Sequence, residues 1–407
     1  MVCRKTVVVF VLTFVAKMSY GVILPTLSVY ASSLGASHSF IGLIVSIYAV
    51  VQLFTQVPIG RASDRFGRRY LVVGGFMGLA AAAELHSYAT RPDQFLLLQG
   101  LAGLATGSLW APLMALLTED SSPSQRGKLL GVFNTIFFVG LGLGPLLGGY
   151  IASYFGNTAP FHLWAIASAA GGLFSLIAIK DLPTRERTLG VARYRFLGNP
   201  SRFVQPGLWP TFAAGCVIRA RGGVCTSFNN TMLPLYAVML FDASPRMIGS
   251  LMFSHGLMIA LFNLPGGMMS DRFGRKLPAL LGSLVASVGV FWYSFPSGFW
   301  ALLIAVGLAG AGAAFTQSSV AALTADVCNP QRRGEAFGYL LTAHNTGMVF
   351  GALSFGFVSD LVGLPGAVLT WAIVSLVLSL FGFMIYDAEA RQQTEAVYQE
   401  SWQDSAR

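Results

Sequence analysis

The chain has 407 residues, 54% hydrophobic and only 11% charged, with a mean hydropathy of +0.64 and a formal net charge of +9 at pH 7. A soluble domain does not need that much apolar surface. The composition therefore excludes a soluble enzyme or a nucleic-acid-binding domain, and it indicates an all-α membrane protein.

Twelve apolar spans of about 20 residues follow one another along the chain, and this is the length that crosses a bilayer. Span 1 contains Lys17 and is not followed by a small-residue cleavage pattern, so we expect it to remain as a membrane helix. We number the spans 1 to 12; they lie near residues 7–30, 40–60, 70–88, 94–117, 127–152, 160–180, 208–238, 246–268, 277–295, 298–324, 334–357 and 365–386.

The chain repeats itself with a shift of 207 positions. Gly60-Arg-Ala-Ser-Asp64-Arg65-Phe-Gly67-Arg68-Arg69 follows span 2, and Gly267-Met-Met-Ser-Asp271-Arg272-Phe-Gly274-Arg275-Lys276 follows span 8. A constant register over about ninety residues indicates duplication. We therefore predict a six-helix bundle at 1–181, a basic central loop at 182–207, a second bundle at 208–387 and a tail at 388–407.

Positive charge predicts the orientation. Twenty-one of the 26 Lys and Arg residues fall in the termini or the loops after even-numbered spans. Because such loops face the cytoplasm, we expect both termini there, in a multi-pass protein of the plasma or inner cell membrane. The basic stretch Arg185 to Arg202 is then a loop beside anionic lipid, and we expect no nucleic-acid partner.

Two six-span halves with G-x-x-x-D-R-F-G-R-[RK] in equivalent loops resemble the major facilitator superfamily, in its twelve-helix drug:proton antiporter-like branch. The resemblance implies two pseudo-symmetric six-helix bundles with a substrate site between them near the bilayer midplane. It implies alternating access by rocking of one bundle against the other. We expect a monomer in membrane lipid that binds a small-molecule substrate, with a proton or a counter-solute as coupling partner.

The repeated loop is interpreted as a conformational gate. Its glycines allow close approach and a tight turn, and an Asp just before a helix start is favoured by the helix dipole. The resemblance implies that these contacts stabilise the outward-facing state; alternatively, the arginines only follow the positive-inside bias. The predicted gate residues are Gly60, Asp64, Arg65, Gly67, Arg68, Gly267, Asp271, Arg272, Gly274 and Arg275.

Span 5 carries a set of small residues that resembles the glycine–proline motif of the antiporter branch. The motif favours export, although small residues also serve ordinary packing between membrane helices. Leu96 stands where drug:proton antiporters carry an arginine, three residues before Gln99, which weakens the case for proton coupling there. The span 5 motif comprises Gly140, Gly144, Pro145, Gly148 and Gly149.

Three basic residues lie inside spans: Lys17 in span 1, and Arg219 and Arg221 in span 7. A charge at this depth indicates a function by default. Arg221 is about 200° around the helix from Arg219, so we expect Arg219 to face the cavity and Arg221 to pack against other helices. In the family, spans 1 and 7 both line the cavity, so Lys17 and Arg219 predict a site for an anionic group. Alternatively, these cations pair with buried polar groups and serve stability.

Other polar residues on spans are weaker candidates, because each type is more often a packing residue. His255 and His344 are the better proton-coupling candidates, since histidine changes charge near neutral pH. Glu84 is a carboxylate well inside a span, but it lies next to His86 on a span that the family places outside the cavity. Further predicted substrate contacts are Tyr20, Tyr48, Gln52, Trp110, Asn134, Gln317 and Asn345.

Taken together, these features predict a secondary active transporter that moves a small organic solute by alternating access. An antiporter-type exporter with a preference for an anionic group is favoured. Alternatives are an organic-anion importer, a multidrug exporter of cationic or neutral compounds, and a transport-inactive receptor or sensor on the same fold. The short loops hold no metal-ligand cluster, nucleotide loop or nucleophile–base pair, so we expect no enzyme, no cofactor and no metal.

Overall fold

A computed structural model describes residues 4–119, 123–179, 204–205, 207–328 and 333–405. Most of the predicted central loop, 182–207, lies outside these residues. The described part of the chain is all-α apart from one isolated bridge between Val204 and Cys328. The helices are α1 (Arg4–Ser33), α2 (His38–Phe66), α3 (Arg68–Ser87), α4 (Pro92–Glu119), α5 (Pro123–Phe155), α6 (Ala159–Ala178), α7 (Trp209–Phe241), α8 (Pro245–Phe273), α9 (Lys276–Trp292), α10 (Phe299–Val327) and α11 (Arg333–Ser405).

Except at the end of the last span, the helices coincide with the predicted spans to within a few residues, which confirms the all-α membrane fold. Nine helices in the described ranges are long and apolar enough to cross a membrane. The apolar helix α9, with 17 residues, is shorter than that group, and α7, which carries Arg219 and Arg221, is not in the group either. Spans 11 and 12 both lie in α11, where Gly363 has a non-helical φ of 77° and separates two helical segments. The second segment continues to Ser405, through most of the predicted tail.

Each copy of the repeated loop is a sharp reversal at a single glycine. Gly67 has a φ of 101° between α2 and α3, and Gly274 has a φ of 82° between α8 and α9. Residues with a side chain adopt this region rarely, so glycine is required by the turn. We call the end of the molecule with these two turns the motif face, and the opposite end, where α2 and α8 begin, the distal face.

Helix packing forms two bundles. In the first, α1 packs on α5 and α6, and α3 packs on α4 and α6; in the second, α7 packs on α11, and α10 packs on α8 and α9. The bundles are pseudo-symmetric, because the fully buried Trp164 of one and Trp371 of the other are also 207 positions apart. The bundles meet where α5 packs on α8 and where α2 packs on α11.

At both contacts between the bundles, a glycine lets two helix backbones approach closely. Gly42 of α2 lies directly on the α11 backbone at Ala352, and Gly249 of α8 lies directly on the α5 backbone at Pro145. Both pairs obey the offset of 207, so the duplication built both interfaces. All four residues lie in the distal halves of their helices, and the bundles are therefore joined at the distal face.

Candidate functional site

Lys17 lies about 20 Å along α1 from Arg4, near the middle of the helix. The residue is only 8% exposed. Its ammonium Nζ lies 4.4 Å from the centroid of the Trp110 ring on α4 and 4.2 Å from that of the Phe137 ring on α5. We call these two rings, whose centroids are 5.5 Å apart, the aromatic bracket. Within the described ranges, no carboxylate or other hydrogen-bond acceptor contacts the ammonium.

The aromatic bracket stabilises Lys17 without neutralising it. A lysine at the centre of a membrane helix costs about 3 kcal/mol on insertion scales. A desolvated cation–π contact contributes about 2 kcal/mol, so two rings are enough to offset this cost. Because ring faces accept no conventional hydrogen bond, the acid group of a ligand can compete with the two rings for the N–H donors of the ammonium.

Arg219 of α7 and His344 of α11 lie on the second bundle, whose α7 packs on α1, the helix of Lys17. Arg219 is partly exposed, and its guanidinium has no hydrogen-bond or ion-pair partner in the part of the chain that the structure describes. A Cβ on Gly222 would lie 3.9 Å from His344 Nδ1, so the His344 ring lies beside α7 close to Arg219 in sequence. His344 is held there because Gly223 lets the α7 backbone lie directly on the His344 carbonyl. We call Lys17, Arg219 and His344 the basic cluster.

Arg221 points into the second bundle and is 2% exposed. Its Nε donates to Ser375 Oγ at 3.0 Å, and its Nη2 donates to Ser287 Oγ at 3.4 Å and to the Ser283 carbonyl at 3.5 Å. These bonds join α7 to α9 and to the second segment of α11. Arg221 therefore serves helix packing, and Arg219 is left on the other side of α7.

Tyr20 and Tyr48 stack on each other inside the first bundle, with ring centroids 4.7 Å apart and an interplanar angle of 13°. The Tyr48 hydroxyl donates to Thr106 Oγ1 at 3.1 Å. These two predicted substrate contacts therefore pack between α1, α2 and α4. Asn345 is buried beside His344. Of the remaining predicted contacts, Gln52 and Gln317 are partly exposed, and the side chain of Asn134 lies outside the described residues.

The other two proton-coupling candidates lie elsewhere. His255 Nδ1 is 3.3 Å from the Val306 carbonyl, at the crossing of α8 and α10. Glu84 lies near the distal end of α3, where Oε2 is 3.1 Å from His162 Nδ1 and Oε1 accepts from the Tyr88 hydroxyl at 3.2 Å. Its side chain is almost half exposed, so the structure does not bring it to the basic cluster.

The structure describes fewer residues of the first copy of the predicted gate than of the second copy. The side chains of Asp64 and Arg65 and the surroundings of Gly60 lie outside the described residues. In the second copy, Arg275 Nε donates to Asp326 Oδ2 of α10 at 2.6 Å, and Arg275 Nη1 donates to Asp271. Hydrogen bonds to Asp326 and Asp271 raise the pKa of the Arg275 guanidinium. These contacts all lie within the second bundle.

The span 5 motif has two packing faces. Gly140, Gly144 and Gly148 lie against the backbone of α1 in the first bundle, on the helix that carries Lys17. Pro145 and Gly149 lie against the start of α8 in the second bundle. A larger residue on either face would separate helices, so the motif couples the position of α1 to the contact between the bundles.

Asp360, at the end of the first segment of α11, closes the distal face by capping α2 of the other bundle. Its Oδ1 accepts from the His38 N–H at 3.1 Å and lies 3.1 Å from His38 Nδ1, and its Oδ2 accepts from the Ser39 N–H at 2.9 Å. An anion at a helix N-terminus is favoured by the helix dipole. At the second contact between the bundles, the Arg246 N–H donates to Ser153 Oγ at 3.0 Å.

These hydrogen bonds shift the titration of Asp360. Partial burial alone would raise the pKa of its carboxyl group. The hydrogen bonds from Ser39 and His38 and the charge of the His38 ring outweigh this effect and hold the pKa below its ordinary value. Ionised Asp360 is therefore a stabilising partner of the distal closure.

Comparisons with known proteins agree with the fold. The sequence profile of the Major Facilitator Superfamily matches residues 9–242 and 222–404. An uncharacterized MFS-type transporter of Methanocaldococcus jannaschii, MJ1560, is 23% identical over 389 residues, which cover 94% of this chain and 98% of that one. The class B tetracycline resistance protein of Escherichia coli is 25% identical over 360 residues, covering 86% and 87%.

Among solved structures, the human organic anion transporter MFSD10 (TETRAN) superimposes with a TM-score of 0.68 at 20% identity, over 94% of this chain and 98% of that chain. The profile match spans both bundles and both copies of the repeated loop. The protein is accordingly a membrane transporter rather than an enzyme, and the chain belongs to the major facilitator superfamily.

Proposed function

We propose that the protein is an antiporter-type exporter of small organic solutes that prefers an anionic group. The observation that carries this proposal is the basic cluster, in which a buried ammonium and a guanidinium from opposite bundles have no counter-carboxylate within the described ranges. Intramembrane cations are retained where they have a partner. An anionic substrate supplies that partner, and Arg219 can bind a carboxylate or sulfonate through two parallel hydrogen bonds.

The names of two similar proteins agree with parts of this proposal. The tetracycline resistance protein is named for drug resistance, which fits export, and the human neighbour is named as an organic anion transporter. Each identity is 25% or lower, so the choice of substrate rests on the basic cluster and not on the names.

In the proposed cycle, the motif face is cytoplasmic, as the positive-inside bias predicts. The contacts of α2 with α11 and of α5 with α8 then close the outer side while substrate enters from the cytoplasm. An anion between Lys17 and Arg219 removes the repulsion between the two cations and lowers the cost of enclosing them. The bundles then rock, the distal contacts separate, and the solute leaves. A proton or a counter-solute restores the first state.

Transport by purified protein in liposomes tests the proposal. We expect counterflow of an aromatic or aliphatic organic anion, and little counterflow of organic cations of the same size. Lys17→Gln or Arg219→Gln removes one charge-assisted contact of about 1.5 to 3 kcal/mol and should lower anion affinity by about tenfold to a hundredfold. Arg91→Gln is the control, because Arg91 is an exposed cation in the loop before α4, paired with Asp93.

Unchanged anion transport in both Lys17→Gln and Arg219→Gln would refute the anion site. The direction of transport is tested separately with imposed pH and counter-solute gradients. Uptake against an outward gradient would identify an organic-anion importer, whereas preferential flux of cations would identify a multidrug exporter of the cationic type. Absence of any solute flux would leave a receptor or sensor on the same fold.

A further inference from the structure

We propose that the anion is aromatic: its planar ring packs on the aromatic bracket while its acid group binds the Lys17 ammonium. This inference rests on the proposed function and names the substrate class of the same site. It would assign Trp110 and Phe137 a role in specificity, in addition to their role in holding Lys17.

The rings around Lys17 form more than a pair. Phe133 packs edge-on against Trp110, with ring centroids 6.4 Å apart, and Phe138 packs edge-on against Phe137 at 5.2 Å. Phe133 is buried and supports the cluster from within, whereas Trp110, Phe137 and Phe138 are partly exposed. Two further rings of α5 therefore extend the aromatic bracket, and Trp110, Phe137 and Phe138 keep accessible surface.

Binding of an acid group to Lys17 has a consequence for these rings. The ammonium now lies over the faces of Trp110 and Phe137, and an acid within hydrogen-bond distance of Nζ draws the ammonium away from them. A small or aliphatic anion offers the two ring faces no contact that replaces the lost cation–π contact. A planar aromatic body replaces the lost cation–π contact with ring stacking and buries its own apolar surface.

The same arrangement disfavours other solutes. Aromatic cations would stack on the rings but would meet the like charges of Lys17 and Arg219. Neutral aromatic compounds would have to displace the ammonium from the rings without offering it a charged partner. The site therefore selects for both features in one molecule, a planar ring and an adjacent acid group.

Three compounds of one size separate these features: 2-naphthoate, decahydro-2-naphthoate, which keeps the charge without the aromatic ring, and 2-naphthamide, which keeps the ring without the charge. We expect wild-type protein to bind 2-naphthoate at least tenfold more tightly than the saturated acid, as measured by equilibrium dialysis in detergent. Trp110→Leu should reduce that ratio to near one, and Trp110→Phe should retain most of it. Trp300→Leu, at an exposed position on α10, is the control for loss of a tryptophan.

A ratio near one in the wild-type protein, or an unchanged ratio in Trp110→Leu, would overturn the inference and leave the anion site intact. Equal binding of 2-naphthoate and 2-naphthamide would instead overturn the anion preference itself, and this inference with it. The wild-type ratio and the Trp110→Phe variant decide the question even where Trp110→Leu does not fold, because Trp110→Phe keeps an aromatic ring over Lys17.

Discussion

Substitution of one glycine at the distal face should shift the protein toward the state in which that face is open. A Cβ on Gly356 of α11 would lie 2.5 Å from the His38 carbonyl oxygen and 2.8 Å from Ser39 Cα, both in the first turn of α2. Non-bonded heavy atoms prefer about 3.5 Å or more, so α2 and α11 must separate by roughly 1 Å. The obstructing atoms are backbone, and no side chain can rotate away.

The magnitude follows from the cost of overpacking. Inserting a methyl group into a well-packed contact typically costs about 1 to 3 kcal/mol. This cost applies only to the closed state, because the bundles separate here when the distal face opens. The ratio of open to closed molecules should therefore rise by about fivefold to 150-fold, since each 1.4 kcal/mol corresponds to about a factor of ten.

Distances between spin labels at Asn157 and Ser297 measure this ratio, because both residues are exposed in distal loops of different bundles. Gly356→Ala should increase the population at long distance. Gly338→Ala is the matched control, since Gly338 lies on the same helix and a Cβ there would meet no heavy atom within 4 Å. Superimposable distance distributions in the two variants would refute the idea that this crossing closes the distal face.

Three further predictions concern single side chains. Because the pKa of Asp360 is lowered in the closed state, its contribution to closure is complete above the ordinary carboxyl pKa of about 4 and is lost as pH falls through the lower value. Acidification should then lengthen the distance between the distal labels, and Asp360→Asn should abolish this pH dependence at an already longer distance. Arg219→Met should weaken the preference for anions, whereas Arg221→Met should leave it unchanged; equal loss in both would contradict the opposite orientations of the two side chains. If His344 or His255 couples protons, replacement by Gln should abolish pH-driven uptake into vesicles while solute exchange survives, and retention of pH-driven uptake would exclude that histidine.

Much of the fold could be predicted from the sequence, because bilayer thickness fixes the length of an apolar span and duplication fixes the relation between the halves. The repeated loop predicted tight turns at its glycines, and Gly67 and Gly274 both have a positive φ there. Gly363 could not be found in this way, since a lone glycine between two apolar spans resembles any short loop. The continuation of α11 to Ser405 was also missed, because a polar segment after the last span carries no apolar periodicity.

The candidate site was predictable only in part. Lys17, Arg219 and Arg221 stand out because charges are rare within spans, and the angle between the two arginines separates their directions. Phe137 was missed, although it lies three residues before Gly140 on a helix already under consideration; one phenylalanine among 31 gives no signal without a neighbouring charge. Asp360 was missed because its partners, two backbone N–H groups more than 300 residues away, exist only after the bundles meet.

The most direct test of a cationic site between the bundles is the selectivity of the double variant Lys17→Gln/Arg219→Gln. Flux is measured in proteoliposomes for two solutes with the same apolar body, one ending in a carboxylate and the other in a trimethylammonium group. We expect wild-type protein to favour the carboxylate strongly and the double variant to lose that preference while remaining folded. An undiminished preference for the carboxylate in the double variant would contradict the assignment of the site.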